Sequence, residues 1–308
     1  MNEKILFSLK SLYRESMNVR GFEFGAGEKS VCIIGSTRGN EVQQTYICSL
    51  LVNALRTAEN ENRIVAGKSI LVVPTINSYS LNIGKRFWST DNSDINRMFP
   101  GYSLGETTQR IAAGVFNEIC DYAYGIQFAS FYIPGKFLPH VKIMETEYCD
   151  AETAKLFSLP YVVLRQPRPY DTTTLNYNWQ IWNTKAFSLY ASSTENADEE
   201  DALTMLRSVL TFLTRIGVLT GEEMTLGKSV VVSDKEFVSV HAKKGGIFLP
   251  LVRNRDFIRE GEIIALIRNS LTGEVLETIA APVTGHMYYT FRSSMTHQGT
   301  LLFQLIPR

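Results

Sequence analysis

Arg86, Asn96 and Arg97, with Arg38 upstream, are the residues whose types suit recognition of a small anion. Guanidinium groups present planar forks that match a carboxylate in bidentate fashion, and a carboxamide between them donates to the same oxygens. Three of the four lie in Gly84-Lys-Arg-Phe-Trp and Asp94-Ile-Asn-Arg-Met-Phe-Pro-Gly101, where Pro100-Gly101 sets a turn. Spacing alone fits an internal salt-bridge network equally well. Arg38 belongs to Ser30-Val-Cys-Ile-Ile-Gly-Ser-Thr-Arg-Gly-Asn-Glu41, an apolar run that meets a short polar turn and passes into an amphipathic segment from Val42 to Leu55. That order is a buried strand feeding a helix, so the turn presents its side chains at the strand's carboxyl end.

The elements that must position these residues follow from periodicity. Val31 to Ile34 and Ser69 to Pro74 read as central strands, and Val42 to Leu55 as a helix with one apolar face. Ile5 to Leu12 fits a strand or the start of a helix, and Phe22 to Ala26 looks extended. Thr75 to Gly101 shows little periodicity, but Tyr79, Phe87, Trp88 and Phe99 favour an ordered functional loop. Helices are expected over Glu106 to Ala123, Asp150 to Phe157 and Asp198 to about Ile216, where the leading acids suit the positive helix end. Tyr124 to Phe128, Val141 to Glu147, Tyr161 to Leu164 and Ala186 to Tyr190 are the remaining strands, and the stretch after Tyr170 is a polar connection. Beyond Gly217 the segments are short, β-rich and separated by turns. The expected organisation is an α/β domain over 1–218 and an all-β domain over 219–308.

Composition narrows the partners. Thirty-one basic residues balance thirty-one acidic ones, so no net field favours nucleic acid or an anionic membrane. No run approaches 18 apolar residues and the N-terminus lacks a secretory pattern, which makes the cytoplasm the expected location. Cys32, Cys48, Cys120 and Cys149 are widely spaced without a CxxC pair and read as reduced cysteines. Gly67-Lys-Ser and Gly227-Lys-Ser lack the earlier glycine of a phosphate-binding loop and precede strands, so they read as turns.

The order of these pieces is more specific than any one of them. An apolar strand, Gly-x-x-x-Gly-Asn-Glu, a helix, a strand ending in Val-Pro-x-x-Asn, Gly-x-Arg-Phe and Asp-Ile-Asn-Arg-x-Phe-Pro-Gly together resemble the aspartoacylase and succinylglutamate desuccinylase family. The likeness runs from Val31 to about Tyr190. It implies a zinc carboxypeptidase-like fold, with a mixed central sheet, flanking helices and a small C-terminal β-barrel-like domain. It also implies a hydrolase that cleaves an amide between an acyl group and an amino acid, with zinc held by two histidines and a glutamate.

Carried onto this chain, the zinc glutamate is Glu41, the first histidine position is Arg38 and the second is Ala129. Only Glu41 is ligand-competent, so no bound metal or other cofactor is expected. The family's catalytic glutamate falls near Tyr190, with Glu195 the only nearby replacement, and tyrosine is a poor general base near neutral pH. Among the four histidines, His140 could approach Glu41 with Cys149 or Glu145, but no pair has local ligand spacing.

Three functional readings result. The first is a degenerate member that keeps an anion pocket of Arg38, Arg86, Asn96 and Arg97 for a small carboxylate. The second is an active metal-dependent hydrolase with a non-standard zinc site. The third is an interaction or scaffold protein, which an exposed aromatic patch around Phe131, Tyr132 and Phe137 would support. The tail resembles a lipoyl-like barrel, but the turn after Ala281-Pro-Val-Thr-Gly carries His286-Met287 and no lysine. It therefore reads as a structural or substrate-shaping domain, a role compatible with a homo-oligomer.

Overall fold

The computed structural model describes residues 1–11, 13, 15–221, 227–253 and 256–308. The chain opens with strands β1 (Asn2–Leu9), β2 (Met17–Gly25) and β3 (Gly27–Ser36), helix α1 (Val42–Asn60) and strand β4 (Gly67–Thr75). After them come helices α2 (Ser78–Leu81) and α3 (Thr107–Ile119), then strands β5 (Tyr124–Ala129), β6 (Gly135–Phe137) and β7 (His140–Met144). Helix α4 (Ala151–Lys155), strand β8 (Tyr161–Arg165), helix α5 (Leu175–Ile181), strand β9 (Lys185–Tyr190), helix α6 (Glu199–Arg215) and strand β10 (Val230–Ser233) complete this part.

These strands form a nine-stranded mixed sheet in the order β1-β2-β4-β3-β5-β9-β7-β8-β10. The centre, from β4 through β3 and β5 to β9, is parallel. Such strands are covered on both faces and should be apolar on both, which is how β3 reads. Val31 and Ile33 enter a core with Ile47, Leu51 and Leu55 of α1 and Met205, Val209 and Phe212 of α6. Cys32 and Ile34 enter the opposite core, with Ile111 and Val115 of α3 and Trp179 of α5. Each such fully buried side chain contributes about 1.5–3 kcal/mol of transfer free energy.

Alternation then places the polar interruptions. Ile126 and Phe128 of β5 and Phe187 and Leu189 of β9 face the α1/α6 core. Gln127, Ala129, Ser188 and Tyr190 must face the other way. Opposite the carboxyl end of this row the apolar packing stops, and a polar cavity takes its place.

The second compact unit comprises Phe131–Leu138 and Val232–Arg308, while the first comprises Met1–Ser130 and Pro139–Val231. Its strands are β11 (Val238–His241), β12 (Gly246–Pro250), β13 (Phe257–Ile258), β14 (Ile263–Arg268), β15 (Val275–Ala280), β16 (Gly285–Phe291), β17 (Met295–Thr296) and β18 (Leu301–Pro307). One sheet runs β11-β18-β16-β13 with β6 also on β16, and the other runs β15-β14-β12-β17. Phe248 meets Phe291 and Phe303 at ring-centroid distances of 5.9 and 5.6 Å. The division expected after residue 218 thus falls at 231, because β10 joins the large sheet, and a short piece from mid-chain belongs to the second unit.

One open alternative is resolved and two further details differ from the sequence reading. The amino-terminal segment is a strand, paired with β2 from Asn2 to Leu9, and Leu12 lies outside the described residues. The polar stretch after Tyr170 contains α5, whose N-cap Thr174 accepts from Tyr177 N. The helix is not legible in the sequence because seven residues are too few to show a period. The aromatic patch that would support a scaffold role is mostly interior: Phe137 is buried and packs on Phe131, Tyr288 and Tyr289, leaving Tyr132 exposed. Among the described residues no helix is long and apolar enough to cross a membrane.

Candidate functional site

The turn between β3 and α1 is held by close backbone approach. A Cβ at Gly39 would lie 2.2 Å from Ser80 C and 2.3 Å from Lys85 O, and Gly39 N donates to Arg86 O at 3.1 Å. Only glycine lets the turn seat against the 80–86 segment, and this fixes where Arg38 and Glu41 point.

Glu41 is fully buried, and its carboxylate meets five protein donors. Oε2 accepts from Thr37 N at 2.8 Å, Arg38 N at 3.0 Å and Thr37 Oγ1 at 3.4 Å. Oε1 accepts from Arg38 Nη1 at 3.0 Å and from the Ser130 hydroxyl. The other edge of the Arg38 guanidinium grips Asp94, with Nε and Nη2 at 3.0 and 2.9 Å from Oδ2. Burial disfavours the charge on Arg38, but Glu41 and Asp94 more than offset that and hold its pKa above the ordinary arginine value.

A cavity of about 80 Å³ adjoins this cluster. Its walls include Arg38, Asn96, Arg97, Gln127, Ala129, Ser130, Lys142, Arg165, Asp171, Asn176, Ser188 and Tyr190. The sheet supplies neighbours by register: Ala129 and His140 both lie beside Tyr190, and Lys142 lies beside Ser188. Asp171 is buried and ties two arginines, Arg165 Nη2 at 2.9 Å and Arg97 Nη1 at 3.5 Å. Asn96 receives Gln127 Nε2 on its own Oδ1 at 2.9 Å.

Of the sequence candidates, Arg38, Asn96, Arg97 and Tyr190 line one cavity, and Arg86 does not. The Arg86 guanidinium lies over the Phe87 ring at 5.6 Å, and burial together with the Arg38 charge lowers its pKa. Glu195 is exposed and accepts from Asn40 Nδ2 at 2.9 Å, away from the cavity walls. Tyr190 stacks on the fully buried His140 ring at 4.8 Å. His140 is thus packed into the sheet, and among the described residues no group of three or more His, Cys, Asp or Glu side chains could hold a metal. Sequence reading passed over Lys142, Arg165, Asp171 and Asn176. Polar residues two apart in apolar strands were a usable signal for the first; Asn176 offered none while its helix went unseen.

The sheet order and two-unit build define a mixed α/β fold with additional antiparallel β-sheets in the second unit. The profile of the succinylglutamate desuccinylase/aspartoacylase catalytic domain matches residues 27–216, and the chain belongs to that family. Solved structures agree in fold. A succinylglutamate desuccinylase from Silicibacter superposes with a TM-score of 0.83 at 18% identity, over 99% of this chain and 94% of that one. The product-bound ectoine utilization protein EutE (DoeB) from Ruegeria pomeroyi gives 0.81 at 18%, over 100% and 95%. An aspartoacylase family protein from Mesorhizobium loti gives 0.75 at 18%, over 97% and 92%. No curated protein matches the chain.

Zinc is the metal this family implies, and the three residues that the sequence resemblance assigns to its ligand positions do not fit it as a set. Arg38 is a cation, Ala129 has no side-chain donor atom, and the Glu41 oxygens are occupied by protein donors. Among the described residues no cluster of three or more His, Cys, Asp or Glu side chains has metal-binding geometry.

Proposed function

We propose that this protein is a member of the desuccinylase/aspartoacylase family that has exchanged zinc-dependent amide hydrolysis for binding of a small carboxylate or related anion. The observation that carries this is the Arg38 guanidinium, lodged between Glu41 and Asp94 at 2.9–3.0 Å. A fixed cation there supplies the positive charge that a metal would bring, but it holds no water to activate. Tyr190, at the position that the resemblance assigns to the catalytic glutamate, removes the second half of the reaction, since a tyrosine is a poor proton shuttle near neutral pH. Arg97 and Asn96 remain on the cavity wall and keep it suited to an anion. A cytoplasmic location accords with four unpaired cysteines.

Elemental analysis of protein purified without chelator, with amine release from a panel of N-acyl amino acids, tests the loss of chemistry. The expected outcome is no stoichiometric zinc and no turnover. Zinc at one equivalent with turnover overturns the reading in favour of a metal-dependent hydrolase with unusual ligands. Calorimetric titration with small anions tests the pocket, and Arg97→Ala is expected to weaken binding about tenfold.

A further inference from the structure

Two cavity-wall groups stand outside the hydrogen-bond and ion-pair networks that occupy their neighbours. Arg38 is matched by Glu41 and Asp94, and Arg97 and Arg165 by Asp171. Lys142 has no carboxylate partner among the described residues. Its ammonium rests 4.5 Å from the centre of the Tyr190 ring, which orients the charge without neutralising it. Asn176 is 2% exposed, and neither its Oδ1 nor its Nδ2 has a hydrogen-bond partner among the described residues. A buried carboxamide with both atoms unmatched is rare, because each unsatisfied atom disfavours the folded state. Both residues face the same small space, and Ser188 sits beside Lys142 in strand register.

We propose that Lys142 and Asn176 form the recognition head of the cavity, and that its ligand is a small hydroxy-monocarboxylate. This rests on the anion-pocket reading above and says which anion. One unmatched cation calls for one negative charge; a second would face Asp171 or pull an arginine from it. The carboxamide presents a donor and an acceptor side by side, and a hydroxyl is the smallest neutral group that answers both. The volume of about 80 Å³ is far below the 300–1,000 Å³ of drug-sized sites, which restricts the ligand to a few heavy atoms.

Isothermal titration of the full chain with glycolate, acetate, succinate and inorganic phosphate tests this. Glycolate is expected to bind one to one, at least about tenfold more tightly than acetate, which lacks the hydroxyl. Lys142→Gln and Asn176→Leu should each weaken glycolate by about tenfold or more. Because the carboxamide is unmatched, Asn176→Leu should melt no lower than wild type, a result that a structural asparagine would not give. Tighter binding of succinate or phosphate, glycolate binding unchanged in either variant, or a clear drop in the Asn176→Leu melting temperature overturns the inference and leaves the anion pocket standing. Absence of binding by all four anions to the wild type overturns the anion pocket itself.

Discussion

At the residue scale the chain turns on Arg38. A buried pair of this kind adds little net stability when intact, because desolvation of the charges offsets most of their attraction. Breaking it is another matter: Arg38→Met strands Glu41 fully buried beside only neutral donors. Denaturant unfolding is expected to show a loss of about 3–5 kcal/mol. Adding Glu41→Leu to that variant should recover part of the loss, since no charge is then left unpaired. A third experiment inverts the replacement. Arg38→His with Ala129→His offers two imidazoles beside Glu41 at the positions assigned by the family resemblance, and elemental analysis should find zinc in that protein.

The elements position these groups through contacts that side chains alone would not reveal. A Cβ at Gly39 would lie 2.2 and 2.3 Å from Ser80 and Lys85 backbone atoms, so a methyl group cannot be accommodated. Gly39→Ala is expected to lower stability by about 1–3 kcal/mol in a thermal melt, by forcing the two segments apart. A second contact ties the start of β9 to the N-cap of α4: Lys185 Nζ donates to Asp150 Oδ2 at 2.7 Å. Burial raises the Asp150 pKa, but the hydrogen bonds from Lys185 and Thr153 outweigh it and hold the group below its usual value. Its stabilising contribution is therefore complete above the unfolded aspartate pKa of about 3.9 and disappears as pH falls through the lower folded value. Unfolding free energy measured between pH 5 and pH 2 should fall less steeply in Asp150→Asn, though the partly exposed pair limits the difference to roughly 1 kcal/mol.

Across the whole molecule, the second unit takes in Phe131–Leu138 from the middle of the chain. Strand β6 pairs with β16, and Phe137 is buried against Tyr288 and Tyr289. A fragment ending at residue 231 leaves β6 without its partner strand and Phe137 without its aromatic neighbours. Such a fragment should bind a hydrophobic dye more strongly than the full chain, as fluorescence titration would show.

Local pattern determined a great deal here. The apolar runs at Val31 to Ile34 and Ser69 to Pro74, the helix after Glu41 and the Asp94 to Gly101 string are all local signals. They suffice for the fold and the family resemblance. Period and turn chemistry act over a few residues, so they survive in a bare sequence. Which charges pair does not survive there. Glu41 could equally have served Arg97, and only the tertiary structure gives it to Arg38, while Arg97 goes to Asp171 from a segment more than seventy residues away. The same holds for Lys142 and Asn176. One sits on a strand and the other on a helix read as loop, and only the packing of α5 against the sheet brings them to one cavity. Pairing and burial are properties of distance in space, and the order of residues along a chain does not contain them.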